Sequence, residues 1–171
     1  MTKALAAGLS IAVAISCSPT TEPTRSTEPT PGARPGVQSG DTPSARHRVL
    51  FNRYQAPVMT VLIADADGQN ERALVPTQGL EYSPSFSADG RYVVFTAEPD
   101  GQADIYRIHA DGTGVEQLTD DPAFDDQGAL SPDGQTLAFV STRERGTADI
   151  WLLDLPSGRY TNLTRHHSGD F

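Results

Sequence analysis

The chain has 171 residues, a length that accommodates one domain of ordinary size. Residues 1–45 hold three of its 22 acidic and three of its 13 basic side chains, so residues 46–171 carry 19 acids, 10 arginines and the whole net charge of −9. An acidic domain without lysine and without a basic stripe argues against nucleic-acid binding and against adsorption on anionic lipid.

Residues 1–16 have the pattern of a secretory leader. One positive charge at Lys3 precedes an apolar run from Ala4 to Ile15. A membrane-spanning helix needs roughly 20 apolar residues, so this run is too short for one. The pattern therefore predicts export of the chain.

Cys17 is the only cysteine of the chain and follows Ala14-Ile15-Ser16. Small residues before a lone cysteine resemble a bacterial lipobox, although Ala14 stands where that motif usually has Leu. The resemblance implies lipidation of Cys17 and a membrane anchor for a periplasmic protein. Ser18, in place of an Asp, favours the outer membrane. The alternative is an unmodified cysteine after an ordinary signal peptide.

Residues 17–45 are predicted to be a disordered tether. Ser18 to Ala45 contains six prolines, six threonines and almost no large apolar side chain. Such a segment cannot bury enough surface to offset the entropy of ordering it, and its prolines favour extended conformations. A lipidated cysteine at its start would hold the following domain away from the membrane surface.

Residues 46–171 contain an internal repeat. Ser87-Ala88-Asp89-Gly90 returns as Ser131-Pro132-Asp133-Gly134 after 44 residues, and Asp104-Ile105-Tyr106 returns as Asp149-Ile150-Trp151 after 45. Leu118-Thr119 likewise returns as Leu163-Thr164 after 45 residues. Several columns with one spacing indicate a repeated structural unit.

Each repeat reads as four short strands between turns. β-Branched and aromatic runs follow the Asp-Gly turns formed by Asp89-Gly90 and Asp133-Gly134, where glycine tolerates positive φ. The predicted strands are 82–86, 92–95, 104–109, 115–119, 136–140, 149–154 and 159–163. Strand alternation predicts that Ile105 and Ile150 pack between neighbouring sheets.

Four strands in about 44 residues is the size of a propeller blade. The Ser-Pro-Asp-Gly, Asp-Ile-Tyr/Trp and Leu-Thr motifs resemble the repeat of TolB and related WD-like propellers. The predicted fold class is therefore all-β, a partial propeller of about three four-stranded antiparallel blades. Counted from the Ser-x-Asp-Gly turns, the blades are predicted at about 46–90, 91–134 and 135–171.

Three blades are fewer than the typical 4–8 of a closed ring, and the TolB resemblance implies about six. An open arc would expose apolar blade faces. We therefore expect either that the chain is part of a longer propeller or that copies self-assemble to close a ring. Truncation is the favoured expectation.

One acidic column recurs seven residues after each strand-ending leucine: Glu81, Asp125 and Asp170. In a propeller, the loop before the innermost strand lies near the central channel, so these carboxylates are candidate channel-face acids for a basic peptide or a cation. The alternative is a structural role, in which repeat acids cap turns and accept hydrogen bonds from backbone N–H groups. Ca²⁺ prefers oxygen ligands, which makes Asp121, Asp125 and Asp126 a weak candidate set. No other cofactor is predicted, and His166-His167 is interpreted as a surface loop.

The sequence contains no Gly-x-Ser-x-Gly nucleophile motif and no Gly-rich phosphate loop, so no catalytic residue is predicted. The prediction is a non-enzymatic propeller that binds a protein or peptide partner in the bacterial envelope. The alternative is the N-terminal propeller of a prolyl-oligopeptidase-like peptidase or of a polysaccharide lyase, without its catalytic part.

Overall fold

The computed structural model describes residues 47–75, 79–144 and 146–165. The described residues do not include the leader 1–16, the tether 17–45 with Cys17, His166, His167 or Asp170. Every regular element in the described ranges is a β-strand, as predicted. The first sheet contains β1 (Arg48–Gln55), β2 (Val58–Asp65) and β3 (Arg72–Ala73); the second contains β4 (Glu81–Phe86), β5 (Tyr92–Ala97), β6 (Asp104–His109) and β7 (Glu116–Gln117); the third contains β8 (Asp125–Leu130), β9 (Thr136–Ser141), β10 (Asp149–Asp154) and β11 (Arg159–Asn162).

Within each sheet, strands that follow one another in the chain are also neighbours in space, and all pairs are antiparallel. This meander is the arrangement of a propeller blade. The predicted strand 115–119 is shorter than expected. The amides of Leu118 and Thr119 both donate to the Ile105 carbonyl, at 2.8 and 3.3 Å, which interrupts one-to-one pairing after β7.

The sheets do not coincide with the sequence periods 46–90, 91–134 and 135–171. The Ser-x-Asp-Gly turns join β4 to β5 and β8 to β9, so each turn lies inside a sheet. Periods counted from the turn therefore divide each sheet after its first strand. In the structure, that first strand is hydrogen-bonded into one sheet with the three strands that follow it in the chain.

The turn residues Asp89, Gly90, Asp133 and Gly134 shape these connections. Gly90 and Gly134 have φ values of 66° and 71°. The Asp133 carboxylate accepts hydrogen bonds from Ser131 Oγ at 2.5 Å and from the Gln135 amide at 3.0 Å, and Asp89 is bonded in the same way. These bonds lower the pKa of both carboxyl groups. The motif is thus a structural turn.

Apolar side chains pack between consecutive sheets. One buried cluster joins the first and second sheets around Leu50, Val61 and Phe95. A second joins the second and third sheets, where Ile105 is fully buried with Val94, Leu137, Phe139, Trp151 and Leu153. The predicted position of Ile105 is confirmed, whereas Ile150 is only half-buried.

Close backbone approach also joins the second and third sheets. Ser85 Oγ donates to the Gly128 carbonyl at 2.7 Å. A Cβ at Gly128 would stand 2.8 Å from side-chain carbons of Ile105 and Val94, so glycine is required there.

In the described residues no helix is long and apolar enough to cross a membrane.

Candidate functional site

Two of the predicted channel-face acids occupy equivalent positions. Glu81 is the first residue of β4, and Asp125 is the first residue of β8. Both are buried, at 1 % and 0 % exposure. They therefore do not form an exposed ring of carboxylates, because each is enclosed by its own sheet and the preceding one. Asp170, the third member of the column, lies outside the described residues.

Asp125 forms a buried ion pair. Arg143 Nη2 donates to Asp125 Oδ2 at 2.7 Å, and the Arg143 side chain is only 9 % exposed. Arg143 Nε donates to Ser141 Oγ at 2.9 Å, which orients the guanidinium. Burial raises the pKa of Asp125, while Ser141, Arg143 and Thr119 act in the opposite direction. A buried charge pair of this kind requires both partners.

Three aromatic rings surround the same guanidinium. The Arg143 Cζ atom lies 5.0 Å from the ring centroid of Phe139, 5.2 Å from that of Trp151 and 4.2 Å from that of Tyr160. These distances are within the range of cation–π attraction. We call Asp125, Phe139, Trp151 and Tyr160 the arginine box of the third sheet. The cation that this box holds is Arg143, a residue of the same chain.

Glu81 lies at a cavity of about 420 Å³ between the first and second sheets. Phe95 and Tyr106 form one wall, with ring centroids 5.8 Å apart and planes 26° from parallel. Burial raises the pKa of Glu81, while the Gly79 amide, a donor at 3.3 Å, acts in the opposite direction. The described residues that line the cavity are Val75, Gly79, Glu81, Phe95, Ala97, Pro99, Tyr106 and Val115. We call this space the Glu81 cavity.

The weak calcium candidate does not form a ligand set. Asp125 is engaged by Arg143, and Asp126 Oδ1 accepts hydrogen bonds from Thr96 Oγ1 and the Gln127 amide, at 2.7 and 2.6 Å. Asp121 Oδ1 accepts one from the Ala123 amide. Across residues 47–75, 79–144 and 146–165, no group of three His, Cys, Asp or Glu side chains could hold a metal ion.

Sequence reasoning did not single out Arg143, the residue that completes the arginine box. The available signal was its place in the repeat: Arg143 stands 44 residues after Pro99, in the same column of the blade. A column that holds proline in one blade and arginine in the next shows no shared chemistry. Only the fold shows that this arginine reaches Asp125, 18 residues before it.

The raised pKa of Glu81 predicts a pH-dependent stability. Because the folded-state pKa lies above the ordinary 4.5, the folded chain binds the proton more tightly than the unfolded chain does. The free energy of unfolding should therefore fall as pH rises from that value through the folded-state pKa. Glu81→Gln removes this titration, so its stability relative to wild type should increase with pH. Urea denaturation between about pH 4 and 8 checks this.

Asp67→Asn is the matched control, since it removes the same charge from an exposed turn. It should keep the pH profile of the wild-type chain. A Glu81→Gln profile parallel to wild type would contradict the prediction.

The TolB β-propeller domain family matches residues 39–170. An uncharacterized protein of Agrobacterium fabrum is 29% identical over 120 residues, which cover 66% of this chain and 41% of the relative. The Tol-Pal system protein TolB of Francisella tularensis is 26% identical over 117 residues, which cover 67% of this chain and 27% of that protein. The chain thus spans less than half the length of these relatives.

Solved structures show the same architecture. TolB from Acinetobacter baumannii superposes with a TM-score of 0.60 at 23% identity, over 68% of this chain and 29% of that one. A puromycin-hydrolyzing peptidase of Mycobacterium tuberculosis gives 0.55 at 17% identity, over 71% and 21% of the two chains. An oligogalacturonate lyase gives 0.56 at 17% identity, over 71% and 33%. Likeness at these identities shows the fold alone.

Proposed function

Because this chain belongs to the TolB β-propeller family, we propose that it is a non-enzymatic propeller module that binds a protein or peptide partner in the bacterial cell envelope. The family match across residues 39–170 carries the proposal. A curated relative that is named as part of the Tol-Pal system supports the envelope setting. The acidic character of residues 46–171 favours a basic segment of the partner.

Crosslinking in bacterial cells that produce the full chain tests this proposal. A photoreactive residue at the half-exposed positions Tyr54 and Phe124 should capture a defined envelope polypeptide. The captured polypeptide, once purified, should then bind the purified full chain in calorimetry with a Kd of about 1 µM or below.

Heat-unfolded chain is the control for binding that does not need the propeller. Equal binding to folded and unfolded chain would overturn the proposal, and so would hydrolysis of the captured polypeptide during the titration. The peptidase or lyase alternative has no observation in its favour beyond a shared fold, which carries no chemistry by itself.

Export and anchoring through Cys17 are part of the same proposal. The leader pattern of residues 1–16 and the lone cysteine support it. In cells fed a radiolabelled fatty acid, we expect wild-type chain to be labelled and to sediment with outer membranes. Cys17→Ser should lose both the label and the sedimentation, because the thiol that accepts the lipid is gone. Cys17→Ser that still sediments with membranes would refute the anchor without affecting the binding proposal.

A further inference from the structure

Five aspartates of the chain are followed directly by glycine, and each of these pairs lies in a connection between two strands. At such a pair the glycine nitrogen can attack the side-chain carboxyl carbon of the aspartate, because no Cβ on the glycine obstructs the approach. All five aspartates are exposed, so water reaches each of them. The pairs are Asp67-Gly68, Asp89-Gly90, Asp100-Gly101, Asp111-Gly112 and Asp133-Gly134.

Hydrogen bonds hold the carboxylates of four of these pairs, at Asp67, Asp89, Asp111 and Asp133. In each of the four, Oδ1 accepts a hydrogen bond from the main-chain amide two residues later, at 2.9 to 3.0 Å. At the last three, a Ser or Thr hydroxyl also donates to Oδ1, at 2.5 to 2.7 Å. To react, a carboxyl group must turn its face to the glycine nitrogen, so a group held in this way must first lose its hydrogen bonds.

The same hydrogen bonds also reduce the reactive form of the carboxyl group. The hydroxyl donors, followed by the amide donors, lower the pKa of Asp89, Asp111 and Asp133. Ring closure expels a carboxyl oxygen as water, which requires the neutral acid rather than the carboxylate. At a given pH, less of the neutral acid is therefore present at these three aspartates.

Asp100 differs from the other four aspartates. It lies in the connection between β5 and β6. Among residues 47–75, 79–144 and 146–165, none donates a hydrogen bond to its carboxylate or forms an ion pair with it. Gly101 has a φ of 81°, and a Cβ built on it would meet no atom within 4 Å. The Asp100 carboxyl group can therefore turn toward the Gly101 nitrogen without breaking a hydrogen bond of its own.

We propose that Asp100-Gly101 is a site of spontaneous isoaspartate formation. The Gly101 nitrogen bonds to Cγ of Asp100, the Cγ–OH bond breaks, and the amide proton leaves with that hydroxyl group as water. Water then adds to the main-chain carbonyl carbon of Asp100 and opens the ring there. The main chain now runs through Cγ and is one carbon longer, and the former main-chain carbonyl is a free carboxylate. Since water is the only co-reactant, the proposal does not depend on partner binding.

Peptide mapping of aged protein tests the proposal. The folded full chain is held for weeks at physiological temperature and mildly acidic pH. Trypsin then releases residues 92–107 and 73–91, which contain Asp100-Gly101 and Asp89-Gly90 as their single Asp-Gly pairs. An isoaspartyl peptide keeps its mass, elutes separately and resists cleavage by endoproteinase Asp-N before the modified residue.

Isoaspartate should accumulate at least about tenfold faster in peptide 92–107 than in peptide 73–91, because Asp89 must first lose two hydrogen bonds. Equal accumulation in the two peptides, or faster accumulation in peptide 73–91, would overturn the proposal.

Chain unfolded in guanidinium chloride is the control for local sequence. Without the hydrogen bonds of the folded turns, the two peptides should form isoaspartate at similar rates. A difference as large as that in the folded chain would show that the neighbouring residues, and not the fold, select Asp100. That result would refute the structural assignment.

Two variants localise the reaction. Asp100→Glu should abolish the product in peptide 92–107, because the ring would need six members and closes far more slowly. Product that persists in this variant would lie at Asp104 and would refute the assignment. Ser87→Ala removes the hydroxyl that donates to Asp89 Oδ1 at 2.7 Å. If circular dichroism shows that this variant is folded, isoaspartate should form several-fold faster in peptide 73–91 and at the wild-type rate in peptide 92–107. An unchanged rate at Asp89 would contradict protection by the hydrogen bonds.

Discussion

Arg143→Ala is expected to lower the free energy of unfolding by about 3–5 kcal/mol, because it leaves the carboxylate of Asp125 buried without its counter-charge. Asp125 is fully buried, and Arg143 donates to it at 2.7 Å. The substitution also empties the space between the rings of Phe139, Trp151 and Tyr160. Urea denaturation followed by the fluorescence of Trp151, the single tryptophan, measures the loss.

The cost should shrink as pH falls. Arg143 lowers the pKa of Asp125 against the effect of burial, so its removal raises that pKa further and the carboxyl group protonates more readily. Asp125→Asn in the Arg143→Ala background should recover part of the lost stability for the same reason. Arg107→Ala, which removes an exposed pair with Glu116, is the matched control and should cost only about 0–1 kcal/mol. Equal losses from the two arginine variants would contradict the prediction.

Ile105→Ala should cost about 2–5 kcal/mol, because it opens a cavity in the core that joins the second and third sheets. The side chain is completely buried, and it packs with Val94 and Leu137. Ile105→Val removes one methylene and should cost about 0.5–1.5 kcal/mol. Denaturation in urea gives both values from the shift in midpoint at constant slope.

The repeat supplies the control for this second prediction. Ile150 stands in the same column, 45 residues later, but its side chain is only half-buried in the third sheet. Ile150→Ala should therefore cost less than Ile105→Ala. Equal costs for the two alanine variants would mean that packing between the sheets does not set the stability.

The strands themselves were predictable because their signals are local. The predicted bounds 104–109 and 149–154 coincide with β6 and β10. Side-chain alternation and Asp-Gly turns are signals that extend over only a few residues, and the same signals occur again in the second copy of the repeat. The outer strand β7 was less predictable, since it ends where the amides of Leu118 and Thr119 share the Ile105 carbonyl.

The acidic column was also visible in the sequence, but its environment was not. Spacing showed that Glu81 and Asp125 are equivalent, and it suggested a channel face for both. Burial and partners depend on residues from other strands and from the preceding sheet. The structure encloses both carboxylates, and Asp125 pairs there with Arg143.

By itself, then, the sequence determined the repeat, the all-β blades and the TolB resemblance, because period, turn chemistry and strand alternation are properties of neighbouring residues. Only the tertiary structure decided that one acidic position holds an internal ion pair while its equivalent borders the Glu81 cavity. The difference depends on Pro99 and Arg143, which lie 18 residues from their respective acids. Antiparallel pairing of the first two strands in the second and third sheets brings these positions together. Because the Asp125 carboxylate is buried between sheets, it requires the charge of Arg143 as its counter-charge.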